Sequence, residues 1–406
     1  MDNNTQTPTR AEKNQVKKHR VRNTILVLLA IIILTAGGLS WWAFKNTKGA
    51  IDESYAGTGV NKSRNVSNVV KSGRPISILL YGTDTGELGR TYKGRTDSMM
   101  LLLVNPETQK TTMISLARDA MVSIVGYENT FPQKLNAAYA YGSTSTSIKT
   151  VESFLNIPVD FYALVNMSGL SKMVDQVGGI SIKSPIDFVY SQETAHAYGP
   201  NLYRFHKGET KYEHSDDNGK TWSKSRTVMD GDAALAFSRM RYDDPNGDYG
   251  RQQRQRIVLE GLINKSANVS SLLNNQFMST ISKNVRTDLT FGDMTTLASK
   301  YIKAKNNIVT EHMQGVGTSY PDSEGNNVAY EVIPQKEKQR VTDLARKTLG
   351  LKSENTGLPY GGEVPSELSA IAASLRPSED DGKTTPDDPA TANTLDDSNN
   401  ENTTGQ

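Results

Sequence analysis

ISILLYGTD (76–84) and RTDSMMLLLVNPETQKTTMISLARD (95–119) contain three apolar runs in close succession. The runs cover residues 76–81, 98–104 and 111–116. Asn-Pro-Glu-Thr, between the second and third runs, is a turn signal. Strands that follow one another through short turns pair antiparallel. The sequence therefore predicts a three-stranded meander inside an α/β domain, in which the end of the first run, the start of the second and the end of the third share one sheet edge.

Charged residues lie where the three runs reach this shared edge. Asp84 follows the first run, Asp97 precedes the second and Arg118 follows the third. If the runs form the meander, these three side chains converge. The inference uses only strand order and turn placement.

A fourth strand is predicted over AALAFSRMR (233–241). Phe237, Arg239 and Arg241 alternate there, so on a strand they point to one face. Two arginines on one strand face repel each other unless an anion lies between them. Asp243, Asp244 and Asp248 follow, and Arg251 then begins an apolar-periodic helix.

This set of charges has the chemistry of a phosphate site. Arginine guanidinium groups bind phosphate oxygens in bidentate fashion, and aspartate oxygens suit Mg²⁺. Together the residues predict a metal-bridged pyrophosphate site of the kind that phosphoryl transfer requires. Ordinary Asp–Arg ion pairs at strand ends explain the same residues equally simply, and the sequence leaves that alternative open.

Composition excludes several other functions. The 406 residues carry a net charge of +2, which gives no bias towards nucleic acid. Cysteine is absent, which excludes disulfides, thiolate metal sites and cysteine catalysis. The histidines lack zinc-ligand spacing, and neither a G-x-S-x-G motif nor a P-loop occurs.

The N-terminal part of the chain has the pattern of a membrane anchor. Residues 24–44 are apolar and uncharged, and as a helix they span about 31 Å, the thickness of a bilayer core. Residues 1–23 are basic, which by the positive-inside rule predicts a cytoplasmic tail and an exported remainder. A cleaved signal peptide is the alternative, but no A-x-A site follows the apolar run.

Composition also divides the exported part. Residues 45–73 are polar and rich in Gly, Ser and Asn, as in an extracellular linker. Residues 74–351 form the predicted α/β domain, with a polar insert at 185–230 that has no predicted structure. Residues 352–406 are predicted to be a disordered tail, which is acidic and rich in Pro, Thr and Asn beyond about residue 376.

Seven motifs in this order resemble the LytR-CpsA-Psr family of Gram-positive cell-envelope proteins. They are LLYGTD (79–84), GRTDSMML (94–101), SLARD (115–119), KLNAAYAYG (134–142), VDQVGGI (174–180), ALAFSRMR (234–241) and DYGRQQRQ (248–255). The resemblance implies an α/β/α sandwich with a central mixed β-sheet, a pocket for a polyprenyl chain and an N-terminal transmembrane helix. It implies transfer of a teichoic acid or polysaccharide from an undecaprenyl-diphosphate carrier to peptidoglycan, outside a single-pass cell membrane.

The same resemblance assigns roles to the charged residues. It implies that Asp84 and Asp97 hold Mg²⁺ or Mn²⁺, and that Asp248 orients the accepting hydroxyl. Catalytic roles fall on Arg118, Asp248 and Arg251, and pyrophosphate binding falls on Arg95, Arg118, Arg239, Arg241 and Gln255. Ala117 is a departure, because the family usually has proline there, and we expect a slightly looser loop before Arg118.

Three other functions remain compatible with some of these features. A non-catalytic protein that binds the prenyl-phosphate carrier or a wall polymer would use the same arginines. Pyrophosphate hydrolysis would follow whenever water replaced the sugar hydroxyl. A transcriptional regulator is disfavoured, because the predicted cytoplasmic tail is too short for a DNA-binding domain.

Overall fold

The computed structural model describes residues 55–59, 61–83, 94–265, 284–301, 304, 307–322 and 325–376. The strands are β1 (Ile76–Thr83), β2 (Thr96–Asn105), β3 (Lys110–Ser115), β4 (Met121–Val122), β5 (Gln133–Lys134), β6 (Phe161–Asn166), β7 (Phe188–Ser191), β8 (Leu202–Phe205), β9 (Tyr212–Ser215), β10 (Val285–Thr287), β11 (Asn307–His312), β12 (Val316–Pro321) and β13 (Asn327–Val332). The α-helices are α1 (Val66–Lys71), α2 (Ala137–Gly142), α3 (Thr144–Leu155), α4 (Met167–Gln176), α5 (Gly231–Arg239), α6 (Gly247–Lys265), α7 (Phe291–Lys300), α8 (Gln335–Thr348) and α9 (Ser369–Ser374).

A six-stranded mixed sheet in the order β10-β6-β1-β2-β3-β11 forms the centre of the domain. Strands β1, β2 and β3 pair antiparallel in sequence order, so the predicted meander is confirmed. Strand β6 pairs parallel with β1, and β11 pairs parallel with β3. These parallel pairs need long crossovers, which is why they join segments far apart in the chain.

Helices cover both faces of this sheet. Leu79 and Leu101 point to one face, where they pack with residues of α2, α3 and α8. Ile78 and Met100 point to the other face, where they pack with residues of α1, α6 and α7. Burying each such side chain contributes about 1.5–3 kcal/mol. Two buried faces explain why these strands read as continuous apolar runs, and they confirm the predicted α/β/α sandwich.

The insert at 185–230, which the sequence did not place, is a small antiparallel sheet in the order β7-β8-β9. Its aromatic side chains pack against α5: Phe188 stacks on Phe205 at 4.7 Å between ring centroids, and Phe205 meets Phe237 of α5 edge-on at 5.3 Å. The insert therefore has an aromatic core of its own beside the central sheet.

The predicted domain boundary at residue 74 is too late. Within the predicted linker, α1 buries Val69 and Val70 against the sheet. Arg64 forms an ion pair with the buried Asp160, and Tyr55 bridges to Thr287. The polar composition of this segment did not predict that it packs on the domain, because ion pairs and main-chain contacts hold much of it.

The boundary at residue 351 is too early, since residues 352–376 pack on the domain. The Ser123 N–H donates to the Tyr360 carbonyl at 2.7 Å, and the Tyr360 ring is buried. The buried ammonium of Lys338 donates to the carbonyls of Gly357, at 3.1 Å, and Leu358. Main-chain hydrogen bonds, which composition does not reveal, hold this segment.

Residues 1–54, with the predicted cytoplasmic tail and transmembrane helix, lie outside the described residues, as does the chain after Arg376. Across the described segments, none of the helices combines the length and apolar character that a membrane crossing needs.

Candidate functional site

One edge of the central sheet collects the segments that the sequence singled out. Thr83 at the end of β1 pairs with Thr96 at the start of β2, and the register shifts between Gly82 and Thr83. The N–H of Leu116, just after β3, donates to the carbonyl of Met99 at 2.9 Å. The predicted common edge is therefore confirmed for the main chain. Asp84 lies outside the described residues, and only the main chain of Asp97 is within them.

A buried cluster of charges stands at this edge, with the carboxylate of Asp248 at its centre. Its Oδ1 lies 3.4 Å from Nε of Arg118 and 3.5 Å from Nε of Arg241, and it also contacts the guanidinium of Arg251. We call these four residues the arginine cluster. Arg118 follows β3, Arg241 lies between α5 and α6, and Asp248 and Arg251 are one turn apart on α6. Three separate segments thus bring together residues that the family resemblance assigns to one phosphate site.

The cluster keeps Asp248 ionised and carries excess positive charge. Burial opposes the ionisation of Asp248, but the charges of Arg251 and Arg118, with a hydrogen bond from Gln252, outweigh it and lower the pKa of the carboxyl below its ordinary value. Arg118 also lies 3.6 Å from Asp119, which pairs with Lys134 at 3.1 Å, so four cationic groups against two carboxylates leave two positive charges in a largely buried site. A group with at least two negative charges, such as a diphosphate, would neutralise this excess.

The predicted fourth strand over 233–241 is wrong: the segment forms helix α5, and Met240 follows it in an extended conformation. The side chain of Asp230 caps the helix by accepting a hydrogen bond from the Ala233 N–H at 2.9 Å. Three alanines favour the helix, and Arg239 in its last turn interacts well with the helix dipole. Arg239 and Arg241 therefore do not alternate on a strand face.

The remaining predicted residues are Arg239 on α5, Gln255 on α6 and Arg95 just before β2. Arg239 is half-buried, and its charge and that of Arg251 act on the hydroxyl of Tyr190, whose pKa burial raises. Gln255 is half-buried on the same face of α6 as Asp248 and Arg251. Arg95 is exposed next to the start of β2. Burial raises the pKa of Tyr330 to about 12, and the positive charge of Arg95 opposes that rise.

Two features of the site were missed by sequence reasoning. Gln252 Nε2 donates to Asp248 Oδ2 at 3.0 Å, while its Oε1 is buried and has no hydrogen-bond partner among the described residues. The spacing of four residues from Asp248 on a helix could have revealed this contact.

The second missed feature is a partly buried hydrogen bond between α6 and β13. The hydroxyl of Tyr249 donates to Glu331 Oε2 at 2.6 Å and accepts from the Gly315 N–H at 2.7 Å. Burial raises the pKa of Glu331, and the nearby charge of Asp248 adds to the rise. These partners are too far apart in the chain for any local signal to connect them. Their contact fixes the start of α6, and with it Asp248, against the hairpin of β12 and β13.

The residues predicted to hold a metal fit a hard cation by their chemistry. Two carboxylates are suitable ligands for Mg²⁺, and the β1–β2 register brings the main chain of position 97 to the same sheet edge as Leu116, two residues before Arg118. Within the described residues, whose side chains do not include these two, no group of three or more His, Asp or Glu could hold a metal.

The family model described as the LytR_cpsA_psr family matches residues 40–347. This range covers about three quarters of the chain and every predicted site residue. The chain belongs to the LytR-CpsA-Psr family. Membership confirms the resemblance carried by the seven motifs. At the departure from the family pattern, Ala117 is buried and its carbonyl accepts a hydrogen bond from the Ala120 N–H at 3.0 Å, which helps to hold the loop before β4.

Several relatives within the LytR-CpsA-Psr family cover most of the chain. The polyisoprenyl-teichoic acid–peptidoglycan teichoic acid transferase TagU of Enterococcus faecalis is 33% identical over 329 residues, which are 81% of this chain and 96% of the relative. Among solved structures, protein gbs0355 from Streptococcus agalactiae matches with a TM-score of 0.59 and 30% identity, covering 77% of this chain and 98% of that one. TagT bound to LIIa-WTA matches with a TM-score of 0.52 and 25% identity, covering 72% and 98%.

Proposed function

We propose that this protein transfers a cell-wall glycopolymer, a teichoic acid or related polysaccharide, from a polyprenyl-diphosphate carrier to peptidoglycan. The observation that carries the proposal is the arginine cluster, in which three guanidinium groups surround one ionised carboxylate at the sheet edge. Its excess positive charge suits a diphosphate. The relatives named as teichoic acid transferases support the choice of polymer and acceptor.

In this reaction a hydroxyl oxygen of the peptidoglycan sugar bonds to the phosphorus atom that carries the polymer. The bond from that phosphorus to the bridging oxygen of the diphosphate breaks, and polyprenyl phosphate leaves with the electron pair. The hydroxyl proton passes to the leaving polyprenyl phosphate. Arg118, Arg241 and Arg251 would bind the phosphate oxygens and stabilise the charge that spreads over them in the transition state. Their positions on three rigid segments make this stabilisation preorganised.

Asp248 would accept a hydrogen bond from the attacking hydroxyl and align it. Its lowered pKa makes it a weak base, so alignment contributes more than proton removal, as expected for the loose transition state of phosphoryl transfer. The buried Oε1 of Gln252, which none of the described residues hydrogen-bonds, would accept a second hydrogen bond from the same sugar.

Asp84 and Asp97 would hold the Mg²⁺ or Mn²⁺ that the family implies. Such an ion neutralises charge on the diphosphate when it is bound. We further propose that residues 24–44 anchor the protein in the cell membrane and that the α/β domain works on its outer side. The uncharged apolar segment after a basic tail supports this arrangement.

The test uses the full chain in lipid nanodiscs with a polyprenyl-diphosphate-linked sugar. Release of polyprenyl phosphate is followed with and without Mg²⁺. We expect Mg²⁺-dependent release that is lost in Asp97→Ala and in Arg118→Ala. Arg226→Ala, a change of an exposed arginine on the insert, serves as the matched control and should retain full activity.

Two results would contradict the proposal. Normal release by both Asp97→Ala and Arg118→Ala would show that the cluster is not the reaction site. Tight binding of the lipid without release, even with peptidoglycan fragments and Mg²⁺ present, would instead indicate a carrier-binding protein.

A further inference from the structure

Three stacked aromatic rings stand at the surface, two on the insert and one between α5 and α6. The ring of His196 stacks on Tyr198, with centroids 5.4 Å apart and planes 6° from parallel, and on Tyr242, at 5.2 Å and 29°. Tyr198 is 61% exposed and Tyr242 is 65% exposed. We call these three residues the aromatic ladder. Single exposed aromatic residues are ordinary, but three rings held face to face are a built surface.

Hydrogen bonds hold the loop that carries two of these rings. The N–H of Ser191 donates to the carbonyl of His196 at 2.9 Å. The hydroxyl of Thr194 donates to the carbonyl of Tyr198, and the N–H of Gly199 donates to Asn218 Oδ1 at 2.7 Å. A loop fixed in this way presents its rings to a ligand with little loss of conformational entropy.

The aromatic ladder is continuous with the exposed side of the arginine cluster. Tyr242 directly follows Arg241, whose guanidinium carbon lies 5.9 Å from the Tyr242 ring centroid. The side chain of Arg241 is 38% exposed, whereas that of Arg118 is 13% exposed. The ladder therefore lies beside the phosphate site on the side that faces solvent.

Flat, exposed aromatic rings are suited to one face of a sugar ring. The C–H groups on a pyranose face are apolar, and stacking them on an aromatic ring removes both surfaces from water. His196 lies between the two tyrosines, so the outer faces of Tyr198 and Tyr242 are the ones open to a ligand. Two such faces beside a phosphate site have the chemistry to bind sugars of a glycan chain that contributes to the reaction at that phosphate.

We infer that the aromatic ladder binds the glycan strand of the acceptor, a chain of N-acetylated amino sugars, and holds its hydroxyl towards Asp248. This inference rests on the proposed function. The first sugar of the donor is covalently bound to a phosphate, which the largely buried arginines would hold. The acceptor is part of an extended wall polymer and must be met on the surface, where the ladder lies.

The experiment uses the full chain in nanodiscs and a soluble tetramer of N-acetylglucosamine as the probe. Binding is measured by isothermal titration, and the ratio of transferred to hydrolysed product is measured with a polyprenyl-diphosphate sugar as donor. We expect Tyr198→Ala and Tyr242→Ala each to weaken tetramer binding by about tenfold and to lower the transfer ratio to a similar extent. Tyr198→Phe and Tyr242→Phe keep the rings and should retain binding.

Tyr55→Ala is the matched control, because Tyr55 is also exposed but lies beside Thr287, near the β10 edge of the sheet. Absence of tetramer binding by the unaltered protein, or equal binding by the alanine variants, would overturn the inference. A rise in the KM for the lipid-linked donor without weaker tetramer binding would also overturn it, by assigning the ladder to the donor polymer. Failure of donor cleavage in the unaltered protein would refute the proposed function, while the titration would still test the ladder.

Discussion

Replacing Arg254 with methionine tests the contacts that hold α6 to the end of α5 and so position the arginine cluster. Arg254 is fully buried and pairs with Asp244, whose side chain is 2% exposed. Its Nε donates to the Phe237 carbonyl at 3.0 Å, and its second terminal nitrogen donates to the Met240 carbonyl. One guanidinium thus ties α6 to the end of α5, where the chain turns towards Arg241.

The expected loss of stability is large. Arg254→Met leaves a buried carboxylate without its counter-charge, which costs about 3–5 kcal/mol. Each of the two carbonyls that loses its donor adds up to about 1–3 kcal/mol if water cannot reach it. The whole stability of a domain is typically about 5–15 kcal/mol, so this variant should unfold at a much lower urea concentration or fail to accumulate.

A second variant separates the effect of the unpaired charge from the effect of the lost packing and hydrogen bonds. In the double variant Arg254→Met, Asp244→Asn the unpaired charge is removed, while the side chain at 244 can still accept the hydrogen bond from the Asn246 N–H. We expect the double variant to recover more than half of the lost free energy of unfolding, measured by urea denaturation. Arg226→Met, at an exposed ion pair, should change stability by less than about 1 kcal/mol. A loss below about 1 kcal/mol for Arg254→Met would refute this reasoning.

Three further outcomes follow from the site. Asp248→Asn removes the only negative charge of the arginine cluster, so inorganic pyrophosphate should bind more tightly at low salt. Release of polyprenyl phosphate should slow about a hundredfold. Weaker binding of pyrophosphate would contradict this prediction. Because burial raises the pKa of Glu331, the folded protein retains a proton that the unfolded chain loses above the ordinary carboxyl pKa. Stability should therefore fall as pH rises through this window, and Glu331→Gln should flatten that dependence in urea titrations; an unchanged slope would count against it. Gly250→Ala would place a methyl group against the carboxylate of Asp244. It should lower the free energy of unfolding by about 1–3 kcal/mol, and with it the melting temperature; an unshifted melting temperature would exclude the clash.

The meander and its shared edge could be predicted because the information is local. The first three strands are consecutive apolar runs, and their order alone places Thr83 beside Thr96 and Leu116 beside Met99. Arg118 was predicted at this edge for the same reason. Asp248 and Arg251 came from the family motifs, and only the structure shows that their segment meets this edge.

Helix α5 shows where pattern reasoning fails. A run of small apolar residues has no strong period, so the apparent alternation at Phe237, Arg239 and Arg241 wrongly predicts a strand. The helix-capping aspartate at 230 was the better signal. The Tyr249–Glu331 pair gave no signal at all, because only the packing of α6 on the β12–β13 hairpin brings the two residues together.

The separate aromatic core of the insert affects how such a protein can diverge. The rings that stabilise β7, β8 and β9 pack on α5, whereas those of Tyr198 and Tyr242 face solvent. Substitutions at these exposed positions change what the surface recognises without removing a side chain from the core. Natural selection can therefore alter the preferred glycan in small, independent steps while the chemistry at the sheet edge is preserved.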